Sequence, residues 1–215
     1  RQMCIRDRTW TTANIYAYTW NTTGWLDGLY RIKLEVIDLA GNIQRSSIYV
    51  VVDNTTPEGK IIAPVNGSLV SGSINITVAG GDKNLRTVEL YIDNTLIITW
   101  AENGTYTYEW DTMAVLDGIH ELRLVVVDEA GNAHEVSIAV IVDNTPPEAF
   151  ISAPNEGAYL HGVVNIEISA NDTHFSIAEL YVGDMLLASW NTNGAHTYSL
   201  NTIALPDGAY TIKLM

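Results

Sequence analysis

An all-β chain of tandem antiparallel β-sandwiches is the fold class that this sequence predicts, and three observations carry it. Turn and core residues recur at a constant offset of 90: Asp27, Asp117 and Asp207, then Asn42 and Asn132, Leu90 and Leu180, Trp100 and Trp190. Short runs with strict apolar/polar alternation fill the space between Gly-, Asn-, Asp- and Pro-rich clusters, as half-buried strands do. No stretch has the 3.6-residue periodicity of an amphipathic helix. A period of about 90 is too long for solenoid units of roughly 20 to 50 residues and suits whole small domains in series. Roughly a third of positions match, without a gap, between residues 54–125 and 144–215.

The first strand expected lies at residues 15–20, where Tyr16, Tyr18 and Trp20 alternate with smaller residues, as Tyr106, Tyr108 and Trp110 do in the complete repeat. After an Asp27-Gly28 turn, Tyr30, Ile32, Leu34 and Val36 form one face, with Arg31, Lys33 and Glu35 on the other. The turn at 38–42 puts Gly41 where a hairpin loop with a bulge needs positive φ, and Asp38 where it can accept from the turn amides. Ile48, Val50 and Val52 alternate toward a linker. Pro57, and later Pro146-Pro147, cannot continue a ladder and mark the start of the next repeat.

In the complete repeat the sequence predicts strands at 60–63, 74–78, 88–92, 96–100 and 106–110, followed by the hairpin 118–142. Gly80-Gly81-Asp82-Lys83-Asn84 is expected to be a loop, Asp93-Asn94 a turn and Asn103-Gly104 a hairpin turn. That makes seven strands in about 90 residues, the pattern of an immunoglobulin-like antiparallel β-sandwich. Ile76 and Leu124 stand where antibody domains carry a cysteine pair, so packing is expected to replace the disulfide, with Trp110 in the core. The Asp-Gly-x-Tyr corners at Tyr30 and Tyr210 fit such folds, with His120 in that place in the middle repeat.

The string Ile61, Ala63-Pro64, Asn66-Gly67, Asp82, Glu89-Leu90-Tyr91, Trp100, Tyr108, Asp117-Gly118 and 128–132 resembles the bacterial and archaeal Ig-like domains found in tandem in surface proteins. The resemblance covers residues 10–214 and implies extracellular spacers, adhesion domains or accessories to secreted enzymes. The expected division is residues 9–53 as the C-terminal half of one repeat, 54–143 as a complete repeat, and 144–215 as a repeat lacking its last strand. Residues 1–8, RQMCIRDR, break the pattern and read as a translated sequencing-library adapter of a metagenomic fragment. They include Cys4, the single cysteine. Open edges at both ends predict self-association of the 215-residue chain and a monomeric 54–143.

The formal net charge of −14 argues against nucleic-acid partners, which need clustered Lys and Arg. No run of about 18 apolar residues is present, so no helical membrane contact is expected. His120, His134, His161, His174 and His196 do not recur at equivalent positions, and no nucleophile elbow, HExxH or phosphate loop appears, so no catalytic or cofactor-binding residue is expected and the chain is predicted not to be an enzyme.

Three surface features remain. The loops carrying Asp53, Asn54, Asp82, Asp128 and Glu129 are predicted to meet at the end that receives the preceding linker. Oxygen ligands from several loops suit Ca²⁺, whereas the alternative makes Asp38 and Asp128 turn caps and Asp53 and Asp143 strand ends; no metal ligand is assigned. Tyr91 and Trp100, repeated as Tyr181 and Trp190, offer rings for sugar stacking or for covering a sheet. Sequons at Asn21, Asn54, Asn66, Asn75, Asn103 and Asn171 accord with an extracellular, glycosylated surface. The function expected is a structural spacer or adhesion stalk whose partners are neighbouring repeats and a cell-surface protein or glycan. The alternative is a carbohydrate-binding or accessory module of a secreted hydrolase.

Overall fold

The computed structural model describes residues 9–11 and 15–215; the adapter expectation for residues 1–8 lies outside them. The chain is built almost wholly of strands, in a first unit ending at Val142 and a second, Asp143–Met215.

The first unit opens with a two-stranded antiparallel ribbon of β1 (Gly28–Ile37) and β2 (Ile43–Val52). Ten residue pairs run without a bulge from Gly28↔Val52 to Ile37↔Ile43. Then come β3 (Glu58–Ala63), β4 (Leu69–Val70), β5 (Ser73–Gly81), β6 (Leu85–Ile92), β7 (Thr95–Trp100), β8 (Gly104–Asp111), β9 (Gly118–Asp128) and β10 (Ala133–Val142). They form a five-stranded sheet, β4-β10-β9-β6-β7, and a three-stranded sheet, β3-β5-β8. This is the immunoglobulin-like sandwich expected. Alternate residues of each sheet turn inward, and Ile76, Val78, Val88, Leu90, Leu122, Leu124, Val126 and Val140 are fully buried between them. The two positions that substitute for the cysteine pair, Ile76 and Leu124, are among them, and Trp110 is 5 % exposed.

Four local expectations are corrected. Residues 15–20 carry no strand: the first strand among the described residues is Gly28–Ile37, whereas their counterpart in the middle repeat, β8, is laddered to β5. Trp20 instead packs edge-on against Trp25 and Tyr30, at 5.1 and 5.9 Å between ring centres. Gly80 and Gly81 belong to β5 rather than to a loop. Gly80 lies opposite Gly59, and a Cβ there would fall 2.8 Å from Val88 Cγ2, while one at Gly59 would fall 2.7 Å from Val126 Cγ2. Glycine is there because the sheets close in, not because the chain turns.

Asn103-Gly104 joins β7 of one sheet to β8 of the other, so it is a crossover and not a hairpin. The two-residue hairpin is Asp93-Asn94, with φ of 48° and 64°, the left-handed pair that a tight turn with matching twist requires. Finally, β4 is an eighth strand of only two residues, too short to show a period. It pairs parallel with β10, Leu69 with Ile141 and Val70 with Val142. Ile141 N donates to Ser68 O at 2.8 Å, Gly67 N to Ala139 O at 2.7 Å and Ala139 N to Asn66 Oδ1 at 2.9 Å, which extends the seam.

The second unit repeats the plan with β11 (Glu148–Ala153), β12 (Val163–Asn171), β13 (Ala178–Val182), β14 (Met185–Trp190), β15 (Gly194–Asn201) and β16 (Ile212–Leu214). Its sheets are β11-β12-β15 and β14-β13-β16, with Ile166, Ile168, Leu180, Val182 and Leu200 buried. Leu200 stands where the first unit has Trp110.

Candidate functional site at the bead joint

The segment that leaves β2 and enters β3 is held from both sides. On the ribbon side, Asp27 Oδ1 accepts from Asn54 N at 2.7 Å and Oδ2 accepts from Thr55 Oγ1. Those bonds, the Thr55 hydroxyl's first and the Asn54 amide's next, hold Asp27 below the usual carboxylate range. Asn54 Nδ2 donates to Thr22 O at 3.0 Å and to Trp25 O at 3.2 Å. On the sandwich side, Asn84 Nδ2 donates to Asp53 Oδ2 at 2.5 Å and Asn132 Nδ2 donates to Asp53 O at 3.1 Å. Val52, just before this linker, is 4 % exposed.

Two loops supply the receiving groups. In the loop after β5, Asp82 Oδ1 accepts from Asn84 N at 2.7 Å, an Asx turn that aims the Asn84 amide at the linker. In the β9–β10 turn, Asp128 Oδ1 accepts from Asn132 N at 2.8 Å and Oδ2 from Asn132 Nδ2 at 2.7 Å, so Asp128 is fully buried yet satisfied. A carboxylate oxygen each from Asp53, Asp82 and Asp128 lies within 4.8 Å of the others. Three of the five predicted residues therefore meet. The other two do not: Asn54 turns to the ribbon carbonyls, and Glu129 is exposed, with only its backbone N–H engaged, by Asn84 O.

The second unit repeats the loop chemistry with one change. Asp143, Asp172 and His174 correspond to Asp53, Asp82 and Asn84, and their ligand atoms also lie within 4.8 Å. His174 N donates to Asp172 Oδ1 at 2.7 Å, and His174 Nδ1 stands 2.6 Å from Asp143 Oδ2. A side chain bearing N–H at this position thus grips the linker aspartate in both repeats. These amide and imidazole partners were the residues that the sequence reading missed. The signal was the Asp-x-Asn and Asp-x-His spacing that an Asx turn uses.

The other candidate groups are engaged within the fold. Arg123 lies over the Tyr91 ring at 4.1 Å, and Tyr91 Oη donates to Glu89 Oε2 at 2.6 Å; that bond, with some burial, raises the phenol above its ordinary range. Trp100 stacks on Tyr106 at 4.5 Å and 8°, closing the edge between the sheets, and Trp190 stacks on His196 at 5.0 Å. One face of each of these rings is covered. Among the sequons, Asn54, Asn66 and Asn103 spend their side chains on backbone partners, while Asn75 is exposed on β5.

The corner position is filled in all three repeats by the same bond. Tyr30 Oη donates to Leu26 O at 2.7 Å and Tyr210 Oη to Pro206 O at 2.9 Å; His120 Nε2 reaches Leu116 O at 2.8 Å. His120 Nδ1 also lies 2.6 Å from Asp93 Oδ2. Both ring nitrogens thus face acceptors, which the imidazolium satisfies. Burial pushes His120 down, but the Asp93 and Leu116 bonds outweigh it and leave His120 above its ordinary value. Asp93 is held below its own, its partial burial outweighed by the bonds from His120 and the Glu121 amide.

Two-sheet sandwiches that repeat one strand plan define a β-sandwich module protein. Residues 57–124 and 147–214 both match the bacterial Ig domain family, and residues 11–54 match a bacterial Ig-like domain; the chain belongs to the bacterial Ig domain family. No curated protein matches it. Among solved structures, the fibronectin(III)-like modules of Clostridium thermocellum CbhA share 22 % identity over 73 % of this chain and 84 % of theirs, at a TM-score of 0.45. The tetra-tandem repeat in the extending region of a large adhesion protein shares 18 % over 89 % of this chain and 53 % of its own, at 0.38. The endo-β-1,4-mannanase of Thermotoga petrophila shares 19 % over 43 % of this chain, at 0.37; this match spans 21 % of the mannanase. Among the described residues, no helix is long and apolar enough to cross a membrane.

Proposed function

We propose that this chain is a non-catalytic, extracellular spacer or adhesion stalk whose joint between the ribbon and the sandwich of the first unit is braced rather than free. The observation that carries the reading is the linker at 53–55. Asp53 is held by Asn84 and Asn132 of the sandwich, and Asn54 and Thr55 by Asp27, Thr22 and Trp25 on the ribbon side. A linker bonded on both sides transmits orientation, whereas a free one of this length behaves as a swivel. Membership of the bacterial Ig domain family supports the extracellular, non-catalytic part of the reading. The stacked and covered rings of Tyr91 and Trp100 favour the spacer over the carbohydrate-binding alternative.

Nitrogen-15 relaxation of the 215-residue chain tests the reading. Amide order parameters at 53–56 are expected to match those of the strands, near 0.85, and to drop in Asn132→Ala; values under about 0.6 in the unaltered chain would make the joint a swivel and sink the stalk reading. The same samples in EDTA and in millimolar Ca²⁺ test the acidic cluster: a native-state ligand raises the melting temperature by mass action. The amide caps on Asp53, Asp82 and Asp128 lead us to expect no shift.

A further inference from the structure

Asn66 and Gly67 stand in the turn before β4, well inside the complete repeat, and an asparagine followed by glycine carries its own chemistry. The glycine nitrogen, its proton given up to solvent, attacks the side-chain amide carbon. The N–Cγ bond forms, the Cγ–Nδ2 bond breaks with release of ammonia, and water opens the resulting five-membered imide to leave aspartate or isoaspartate. Gly67 has no Cβ to hinder the closing ring, and Asn66 is exposed, so water reaches it freely. Burial therefore does not protect this pair.

Its hydrogen bonds do, and both run to one residue of β10. Gly67 N donates to Ala139 O at 2.7 Å, and Ala139 N donates to Asn66 Oδ1 at 2.9 Å. The attacking nitrogen must shed a proton that Ala139 O holds, and the carbon under attack must swing toward it while Ala139 N pins its oxygen. Ile141 N, donating to Ser68 O at 2.8 Å, and the pairing of Leu69 with Ile141 and Val70 with Val142 keep this clamp in place. We propose that Asn66 is a self-modification site that the β4–β10 seam holds shut and that local opening of the seam releases. The isoaspartate product runs the backbone through the former side chain, which adds a methylene between residue 66 and Gly67. Gly67 N and the oxygen of residue 66 then no longer meet Ala139 together, so the seam does not reclose as it was and the opening is recorded. The device belongs to the middle bead: the same station in the second unit holds Glu156-Gly157, whose carboxylate is not attacked.

Peptide mapping of the 215-residue chain, incubated at mildly alkaline pH and resolved into amide, aspartyl and isoaspartyl forms, tests this. Conversion at Asn66 is expected to be at least about tenfold slower in the folded chain than in concentrated urea, because a locally closed site reacts only through its open fraction. Val70→Asp, which drives β4 off the core, is expected to speed Asn66 several-fold and to leave Asn103-Gly104 unchanged, since Asn103 Oδ1 serves a different loop by accepting from Asp82 N. Leu69→Gly, which loosens β4 without placing a charge at the core, is expected to act the same way more weakly. In the isoaspartyl product, hydrogen exchange at the Gly67 and Ile141 amides is expected to lose its protection. Equal rates at Asn66 in the folded chain and in urea, no acceleration in either variant, an acceleration shared equally by Asn103, or full protection retained after conversion would each overturn the proposal.

Discussion

The hairpins 28–52 and 118–142 invite comparison because they share 11 of 25 residues at the offset of 90 and the same pairing, while their environments differ. Both pair over ten residues without a bulge. Their turns, Asp-Leu-Ala-Gly-Asn and Asp-Glu-Ala-Gly-Asn, close with the same bonds: Asn42 N to Asp38 Oδ1 and Asn132 N to Asp128 Oδ1 are each 2.8 Å, and the side-chain amide bonds are each 2.7 Å. Yet Leu124 is fully buried while Leu34 is half exposed, and Asp128 is fully buried while Asp38 lies in solvent. Local sequence therefore makes the hairpin, and the covering sheet β3-β5-β8 makes the core. The energetic weight of a residue follows the second, not the first.

The largest expected effect strikes the sheet that makes the difference. Trp110→Ala removes the β8 ring from beneath the hairpin and is expected to cost about 3 to 5 kcal/mol in urea melts; a loss under about 1 kcal/mol would take Trp110 out of the core. Next, Leu124→Ala is expected to cost about 2 to 5 kcal/mol and Leu34→Ala, in dilute solution, within about 0.5. Equal costs at the two leucines would end the comparison. At the turns, Asp128→Ala takes the acceptor from the part-buried Asn132 N–H and from one bond of its side-chain amide and is expected to cost about 1 to 3 kcal/mol, with Asp38→Ala clearly below that because water replaces its partner.

The smallest effect is a titration confined to the middle bead. His120 is raised above its ordinary value of about 6.5, so its contribution is complete below that pH and is lost as pH rises through the folded value. Asp93 is lowered, so its contribution is present above about pH 4 and is lost as pH falls. The melting temperature of the chain is expected to decline from about pH 6.5 upward. His120→Tyr, which installs the residue of Tyr30 and Tyr210, is expected to flatten that decline; an unchanged slope would place the titration elsewhere.

The fold was largely legible because alternation reports which face is buried, and the faces assigned from Ile76, Leu90 and Leu124 are the buried ones. The misreadings share a cause. Asn-Gly at 103–104 announces a turn but not which sheet the next strand joins, and Gly80 has the same composition whether it bends a chain or admits Val88. Tyr16, Tyr18 and Trp20 alternate like a strand, yet the first described strand begins at Gly28, because alternation marks an apolar face and not a ladder. At the joint, the convergence of Asp53, Asp82 and Asp128 was legible from loop placement. The roles of Asn84 and Asn132 were not, since an asparagine in a turn looks the same whether it serves its own backbone or grips the next segment.

The two-residue strand β4 gives the bead a mechanical character. The polypeptide enters through β3 and β4 and departs through β10, and β4 lies parallel to β10. Tension applied to the two ends drags these segments past each other in opposite directions, across hydrogen bonds that include Ser68 O to Ile141 N and Ala139 O to Gly67 N. Bonds loaded side by side share the force and must rupture together, whereas a hairpin pulled open from its mouth gives way one rung at a time. The seam at β4 therefore stiffens the bead against stretching along the line that joins its two ends.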